Sequence, residues 1–383
     1  MVEARIRWLG SFLLALISAW VIGGEVLRVT PSGALWDFGS FVASGRAAAQ
    51  GLNPYGVYEL TLRVELPGFE SWNPNLNPPI SALLFQLFDV TEPGRSFLVW
   101  RWISVALYLA TLMLLFNRFR QHQSLPVVLW AFSLAGFWDT LFLGQIYLPL
   151  VFAAVAAWLL LERGRDLPAG ILIGLVVAMK PNFLVWPVLL FLAGYRRPAV
   201  AAAVTGALVS LIPLAVYGPE VYRQWFELIA ADRDRALFLT NASFAGLAAR
   251  MGVPLLGTAL SLALLGTLAL WAFVKSPDRQ RVSALALLAS LLASPLGWIQ
   301  YTLFLLPVLL SHWSRPSIKA VGLLLIVPVP FIIDRLGAPS LTQITTGSVY
   351  GWALVLCLAI LLADEWRLAR SREPLVAPRP APV

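Results

Sequence analysis

Acidic, basic and amide side chains interrupt this apolar sequence at a few places where they could carry out chemistry. Asp37 begins the stretch DFGSFVASGRAAA, in which Phe38, Phe41 and Val42 recur at helical spacing, so the pattern predicts an amphipathic helix from Asp37 to Ala49. A carboxylate at its start could cap this helix, because helix N-termini favour negative charge. It could instead be a general base that takes a proton from a hydroxyl group. The pattern alone leaves both roles open.

Three more polar residues lie next to apolar segments. Lys180, in AMKPNF, is costly near the apolar part of a membrane unless its ammonium reaches the surface or finds a partner. Lysine commonly binds phosphate as a point charge, so a lipid-linked phosphate is a natural ligand for it. Asp139 and Gln145, in FWDTLFLGQIYLP, fall in one turn between two predicted helices. They are either solvated loop residues or a second polar part of an active site.

Seven further residues in predicted outer segments could contact a sugar or an anion: Arg46, Tyr55, Asn241, Ser243, Arg250, Trp298 and Gln300. The tyrosine and the tryptophan could stack on a sugar ring, although aromatic residues are common at membrane interfaces for other reasons. The arginines could meet phosphate, and the amide and hydroxyl groups could bind substrate hydroxyls. Asn241-Ala-Ser243 also matches a glycosylation sequon, which we interpret as a chance match.

Several chemical motifs do not occur in the sequence. It contains no Walker loop, no dinucleotide-binding glycine motif, no metal-ligand spacing and no cysteine–histidine pair, so we expect neither a metal nor a cofactor. Both histidines, His122 and His312, fall in loops predicted to face the cytoplasm. Since no nucleotide-binding domain is evident, a glycosyl or acyl donor should arrive already activated on a lipid carrier.

The elements that position these residues follow from composition. The 383 residues are 59% hydrophobic and 13% charged, with a mean hydropathy of +0.77, which excludes a water-soluble globule. A single cysteine, Cys357, excludes a disulfide scaffold. We predict an all-α polytopic membrane protein with twelve spans. They lie near 9–27, 96–116, 124–138, 146–161, 168–179, 183–194, 199–217, 255–274, 282–297, 299–311, 318–333 and 348–363.

Between the spans, two long segments are predicted on one face, at 28–95 and 218–254. The first contains the turn-rich run SWNPNLNPPI and then a short apolar stretch, 78–90, which we predict to be an interfacial helix. No strand pattern, heptad or convincing internal repeat is found. Residues 1–363 are predicted to form one catalytic domain, and 364–383 a basic, proline-rich cytoplasmic tail.

The net charge of +8 indicates orientation in the membrane, not nucleic-acid binding. If the N-terminus is cytoplasmic, the basic residues concentrate in the short loops of that side, as the positive-inside rule requires. Both termini are then cytoplasmic and the two long segments face outward. Only three of the 28 basic residues are lysine, a bias associated with GC-rich bacterial genomes, so we expect a bacterial cell membrane.

Six stretches, taken together and in order, resemble glycosyltransferase family 87, the polyprenyl-phosphate-sugar-dependent mannosyltransferases with the C-class membrane fold. They are WDFGSFVASGRAAAQGLNPY, NLNPPISALLFQLF, FLGQIYLPLVFAAVAAWLLLERGR, LPAGILIGLVVAMKPNFLVWPVLLFL, TNASFAGLAARMG and SPLGWIQYTLFLLP. Each is weakly specific alone, but their common order from about residue 36 to 310 covers most of the chain.

The resemblance implies an outward-facing site, a polyprenyl-phosphate hexose donor (mannose being the expected sugar) and an inverting transfer to a hydroxyl of a lipid or glycan acceptor. It makes Asp37 the general base and Lys180 the residue that holds the lipid phosphate. Asp139 falls where related enzymes have a second acidic residue. Gln300 is a departure, since family members often have histidine in this region, and glutamine cannot titrate.

Two other classes remain as alternatives. A lipid or solute transporter, or flippase, would favour ionisable groups near the membrane midplane and matching broken helices in its two halves, neither of which the sequence shows. A non-catalytic membrane protein of envelope assembly would not need Asp37 for sugar transfer.

Overall fold

The computed structural model describes residues 2–30, 33–66, 69–90, 92–231 and 234–371. This part of the chain is mostly helical. Its α-helices are Val2–Val29, Trp36–Ala49, Ile80–Gln86, Pro93–Arg118, Leu125–Ser133, Ala135–Leu143, Tyr147–Glu162, Asp166–Met179, Val185–Leu192, Arg196–Tyr217, Glu220–Ala231, Phe244–Arg250, Pro254–Lys275, Arg279–Leu292, Leu306–Ser311, Pro316–Leu324, Val329–Ile333, Ser340–Ile344 and Val349–Ser371. Its 3-10 helices are Arg120–His122, Pro181–Leu184, Asp234–Leu237, Ile299–Leu305 and Thr346–Ser348.

Long apolar helices confirm the prediction of an all-α membrane protein. Within the described residues, five segments are long and apolar enough to cross a membrane: Trp8–Val29, Pro93–Arg118, Arg196–Tyr217, Pro254–Lys275 and Ser340–Leu368. Leu125–Ser133 and Ala135–Leu143 form a sixth if the pair, bent by 43°, is taken as one span. The other predicted spans correspond to shorter or broken helices, so the number twelve stays a prediction.

The long helices turn large apolar side chains outward. Trp20 is 74% exposed, Leu255 84% and Phe273 69%. Such exposure would be costly in water, whereas lipid tails are as apolar as these side chains. The outer surface of these helices therefore suits a bilayer.

A small β-hairpin contradicts the expectation that the chain has no strand. Leu62–Leu66 pairs antiparallel with Phe69–Asn73, and Leu62 stands opposite Asn73. The first strand alternates apolar residues with Arg63 and Glu65, the period-2 pattern of a strand with one covered face. One short strand of this kind is too weak a signal to stand out in a helical sequence.

Helices are present in both segments that were predicted to be interfacial, and their position at the membrane interface stays a prediction. The amphipathic helix predicted from Asp37 to Ala49 is observed as Trp36–Ala49, and the stretch 78–90 contains the short helix Ile80–Gln86. The last helix runs on to Ser371, so the first part of the predicted tail is helical and residues 372–383 lie outside the described residues.

Small residues bring two helices of the core unusually close. A Cβ atom added to Gly170 would lie 2.4 Å from the carbonyl oxygen of Pro198, and one added to Gly174 would lie 2.6 Å from that of Ala202. Close backbone approach through glycine and alanine is a common way to pack membrane helices. It fixes the end of the helix Asp166–Met179, where Lys180 follows.

Candidate active site

A cavity of about 600 Å³, which we call the central cavity, lies between the helix Trp36–Ala49, the hairpin and the ends of several apolar helices. Six of the residues singled out in the sequence line it: Asp37, Asp139, Gln145, Lys180, Trp298 and Gln300. These residues are distant in sequence, so the folded chain is what assembles them into one polar site.

Asp37 lies in the first turn of its helix, and it does not act as the helix cap. The N-cap position belongs to Leu35, and no side chain caps it. Asp37 is 4% exposed, and its carboxylate accepts hydrogen bonds from two amides. Asn73 Nδ2 donates to Oδ1 over 2.5 Å, and Gln145 Nε2 donates to Oδ2. Both bonds favour the ionised carboxylate, and each oxygen keeps a lone pair that can accept a proton.

The surroundings of Asp37 change the pKa of its carboxyl group. Burial raises the pKa of Asp37 to about 6. The bonds from Gln145 and Asn73, and the charges of Arg235 and Lys180, act in the opposite direction. A carboxyl group with this pKa is mostly ionised at neutral pH, yet it accepts a proton more readily than an ordinary aspartate.

The backbone turns sharply just before this residue. Trp36 has a φ of +50°, a strained value for a bulky residue. Its ring packs on that of Phe142 with 4.4 Å between the centroids. Because Phe142 belongs to the helix that carries Asp139, this contact holds the start of one element against the other.

Two residues that sequence reasoning missed complete the surroundings of Asp37. Asn73 ends the second strand, and Arg235 lies in the 3-10 helix Asp234–Leu237. The Arg235 guanidinium donates to Asn73 Oδ1 through Nη1 and to the carbonyl oxygen of Trp72 over 2.8 Å. Because arginine only donates, Asn73 must turn its NH₂ group toward Asp37. Asn73 lies in the turn-rich run SWNPNLNPPI, whereas nothing in the sequence distinguishes Arg235 from other loop arginines.

Gly144 directs Gln145 toward Asp37. It ends the helix Ala135–Leu143 with a φ of +72°, a left-handed conformation that favours glycine. A Cβ here would lie 2.6 Å from the ring of Phe97 and 2.7 Å from the Cβ of Phe38. The turn therefore depends on a glycine both for its conformation and for space.

Lys180 follows directly after the helix Asp166–Met179. Pro181 cannot continue that helix, and the chain passes into a 3-10 turn. Lys180 Nζ donates to the Tyr147 hydroxyl over 3.0 Å and lies 4.5 Å from the centroid of that ring. The Tyr301 ring centroid is 5.5 Å away. Among the described residues no carboxylate forms an ion pair with Lys180, so its charge is available to a bound anion.

Asp139 lines the central cavity together with Arg28 and Gln300. Gln300 Nε2 donates to Asp139 Oδ2 over 2.7 Å, and Arg28 Nη1 lies 3.4 Å from Oδ1. Arg28 also donates to Glu25 over 2.5 Å. The two buried carboxylates thus share one guanidinium, which comes from the end of the first long helix and was not predicted as a site residue.

Three buried polar atoms of residues that line the central cavity have no hydrogen-bond partner among the described residues. They are Arg28 Nη2, Trp36 Nε1 and Gln300 Oε1, and all three side chains line the central cavity. Two are donors and one is an acceptor. Since a sugar hydroxyl can both donate and accept, these atoms can bind hydroxyl groups.

Aromatic rings form the adjoining surface of the central cavity. Trp298 and Phe238 both line it, and their ring centroids are 6.1 Å apart in an edge-to-face arrangement. An aromatic face suits the C–H face of a sugar.

Two predicted substrate-binding residues lie outside the lining of the central cavity. Arg46 donates to both oxygens of Asp89, with Nη2 2.7 Å from Oδ1. Tyr55 is buried against Val221 and Trp225, and its hydroxyl donates to the carbonyl oxygen of Asn77 over 3.2 Å. Both residues therefore have partners within the protein.

Three more predicted residues stabilise the loop next to the central cavity without lining it. Asn241 Oδ1 accepts hydrogen bonds from the Gly297 N–H over 2.9 Å and from the Ser243 hydroxyl over 2.8 Å. Arg250 donates to the Ser348 hydroxyl over 2.8 Å and to the carbonyl oxygens of Phe238 and Asn241. These bonds fix the backbone beside Trp298.

Within the described residues, no three His, Cys, Asp or Glu side chains come together in a way that could hold a metal ion. The polar groups that line the central cavity include two buried carboxylates with amide donors, Asp37 and Asp139, together with Lys180 and the unpartnered atoms of Arg28, Trp36 and Gln300.

A buried carboxylate and a lysine that line one cavity of a helical membrane protein are the kind of arrangement found in membrane-embedded group-transfer enzymes. The chain belongs to glycosyltransferase family 87, whose family model matches residues 75–295, more than half of its length. This confirms the family indicated by the sequence motifs and makes the protein a glycosyltransferase.

Two similar proteins bear the name polyprenol-phosphate-mannose-dependent alpha-(1-2)-phosphatidylinositol pentamannoside mannosyltransferase. The one from Mycobacterium tuberculosis (strain CDC 1551 / Oshkosh) is 26% identical over 381 residues, covering 92% of this chain and 85% of the relative. The one from Mycolicibacterium smegmatis (strain ATCC 700084 / mc(2)155) is 25% identical over 346 residues, covering 84% and 82%. No solved structure matches the chain significantly.

Proposed function

We propose that this membrane glycosyltransferase moves mannose from a polyprenyl-phosphate donor to a hydroxyl group of a lipid or glycan acceptor. The placement of Asp37 and Lys180 in one cavity carries this proposal, because the reaction needs a base for the acceptor and a cation for the leaving phosphate. Both relatives named above depend on polyprenol-phosphate-mannose, which supports the same donor here.

The transfer is an inverting displacement. Asp37 takes the proton of the acceptor hydroxyl while its oxygen forms a bond to the anomeric carbon. The bond from that carbon to the phosphate oxygen breaks on the opposite side, and polyprenyl phosphate leaves as an anion. Lys180 screens the developing negative charge. Asn73 and Gln145 hold the carboxylate through both of its oxygens, which aims it at the acceptor.

The unpartnered atoms of Arg28, Trp36 and Gln300 supply the sugar-binding part of the central cavity. They bind hydroxyls of the transferred hexose or of the acceptor sugar, while Trp298 supports an apolar face. The names of both relatives refer to a phosphatidylinositol mannoside. We therefore expect a mannosylated lipid to be a better acceptor than free mannose.

The same proposal includes the arrangement in the membrane. Residues 1–363 form one catalytic domain of the C-class fold with about twelve membrane-crossing or re-entrant elements, and both termini face the cytoplasm of a bacterial cell. The central cavity then faces the outer side, where the donor arrives on its lipid and needs no nucleotide. The excess of basic residues in the short loops supports this orientation.

The test is transfer of radiolabelled mannose by the purified protein. Polyprenyl-phosphate mannose and GDP-mannose are compared as donors, with phosphatidylinositol mannosides as acceptors. We expect labelled glycolipid from the first donor alone. Label from GDP-mannose, or no label with any acceptor, would contradict the proposal.

The alternative classes predict different outcomes. A flippase would move labelled donor lipid across proteoliposome membranes without changing it chemically, and a non-catalytic assembly protein would do neither. The buried base and the hydroxyl-binding wall of one cavity favour the transferase.

A further inference from the structure

A second concave site, here called the groove, lies beside Lys180 and is separate from the central cavity. It has a volume of about 270 Å³. Its walls are formed by Pro78, Val177, Ala178, Pro181, Leu184, Pro187, Ala202, Ala203, Gly206, Ala207, Ser210, Tyr222 and Trp225. None of these side chains carries a charge, so the groove suits an apolar ligand.

The polar groups of its aromatic wall are already bonded within the protein. The Tyr222 hydroxyl donates to the carbonyl oxygen of Ser210 over 2.6 Å. Trp225 Nε1 donates to the carbonyl oxygen of Leu76 over 3.1 Å. These residues therefore present hydrocarbon surface to the groove, and covering that surface with another apolar group is favourable.

Small residues on one helix create the groove. Ala202, Ala203, Gly206 and Ala207 recur at helical spacing along Arg196–Tyr217 and form its floor. On the neighbouring side of this helix, Val204 is 52% exposed, as expected for a side chain that faces lipid. The groove is thus a narrow strip along a membrane-facing helix.

The groove and the central cavity are adjacent at two places in the chain. Asn77 lines the central cavity and Pro78 lines the groove. Likewise, Lys180 lines the central cavity, whereas Ala178 and Pro181 on either side of it line the groove. The groove therefore lies next to the central cavity at the residues that flank Lys180.

We propose that the groove holds the isoprenoid chain of the donor next to its phosphate. This assignment rests on the proposed function and adds the site for its lipid part. A ligand that joins an anion to a flexible apolar chain can use Lys180 and the groove together, and the proposed reaction places the phosphate of the donor at Lys180. The isoprenoid chain anchors the donor in the groove, whereas the reacting sugar lies in the central cavity.

The test compares two donors that differ only in lipid length. Mannose is supplied on a long polyprenyl phosphate and on a short, water-soluble isoprenoid phosphate, to wild type, Ala203→Phe and Ala207→Phe. Val204→Phe is the matched control, since it adds the same ring to the same helix outside the groove.

We expect each groove variant to raise the KM for the long donor about tenfold, which corresponds to losing the burial of roughly two methylene groups. The KM for the short donor and the kcat for both should stay as in wild type. Equal changes for the two donors, no change in either groove variant, or the same change in Val204→Phe would overturn the assignment.

A binding measurement separates this inference from the proposed reaction. A long polyprenyl phosphate that carries a photoreactive group near its phosphate is crosslinked to the wild-type protein. We expect labelled peptides from Arg196–Tyr217 and Pro181–Leu192, and less label in Ala207→Phe. Labelling of other segments would contradict the assignment of the groove, even if mannose is transferred. Labelling of these two segments without transfer from either donor would contradict the proposed reaction and support the lipid site.

Discussion

Gln300 donates a hydrogen bond of 2.7 Å to Asp139 across a sequence separation of 161 residues. The amide nitrogen makes this bond, whereas the side-chain oxygen Oε1 of Gln300 has no partner among the described residues, and Gln300 lines the central cavity. One side chain therefore fixes the second acidic residue and offers an acceptor to substrate. A histidine at this place could carry a charge, whereas glutamine stays neutral at every pH.

Replacing Asp37 tests the base directly. Asp37→Asn keeps the shape of the side chain but removes its ability to take a proton, so we expect kcat to fall roughly 10²–10⁴-fold. Transfer of labelled mannose from polyprenyl-phosphate mannose measures the effect. Asp89→Asn is the matched control, because Asp89 pairs with Arg46 away from the central cavity. Near-wild-type transfer by Asp37→Asn would remove Asp37 from the mechanism.

The pH dependence of transfer should report the same group. Burial raises the pKa of Asp37 to about 6, and the base must be ionised to act. Activity should therefore fall as the pH drops below about 6, close to tenfold per unit of pH. The residual activity of Asp37→Asn should lack this acidic limb. A wild-type rate that rises on acidification contradicts the assignment.

Arg235 should affect this pH profile without touching Asp37. It fixes the amide orientation of Asn73 and contributes positive charge near the carboxylate. In Arg235→Met both effects are lost, so the acidic midpoint of kcat/KM should move to higher pH. Arg223→Met serves as a control, because Arg223 is an exposed partner of Glu220 in the same segment, 218–254, as Arg235. A lower kcat with an unchanged midpoint would indicate a structural role alone.

Lys180 should control the affinity for the donor. Replacing a partly buried cation that binds phosphate removes a charge-assisted hydrogen bond, which is worth roughly 1.5–3 kcal/mol. For Lys180→Met we expect kcat/KM for the donor to fall about 10–100-fold, with the KM for the acceptor unchanged. Lys275→Met, at the end of another long helix, is the control. A change confined to the acceptor would contradict phosphate binding.

The Asp139–Gln300 pair should be energetically coupled. Gln300→Leu leaves a buried carboxylate short of a donor, so the free energy of unfolding should fall by about 1–3 kcal/mol. Thermal unfolding in detergent of Asp139→Asn, Gln300→Leu and the double variant measures the coupling. The double variant should be less destabilised than the sum of the two single ones. Strict additivity would show that the pair contributes nothing as a unit.

The sequence is sufficient to predict the helical membrane fold from its apolar runs, the family from the resemblance of its motifs, and several residues of the central cavity from their types and neighbours. Runs of apolar residues cannot avoid the bilayer, and a carboxylate or a lysine beside such runs is costly without a purpose. For this reason the residue types and their neighbours are enough to single out Asp37, Lys180 and Asp139, whereas Gln300 is singled out by its position in SPLGWIQYTLFLLP. The hairpin escapes prediction because its alternating signal covers only one five-residue strand, Leu62–Leu66.

Only the tertiary structure decided which polar residues share a cavity. Arg28 and Arg235 resemble ordinary loop or helix-end arginines in sequence, yet folding places both against the central cavity. Conversely, Arg250 and Asn241 have the side chains of substrate ligands and bond instead to the protein around them. Residue type and spacing determine what a segment can do, whereas the partners of a polar side chain depend on contacts between segments far apart in the chain.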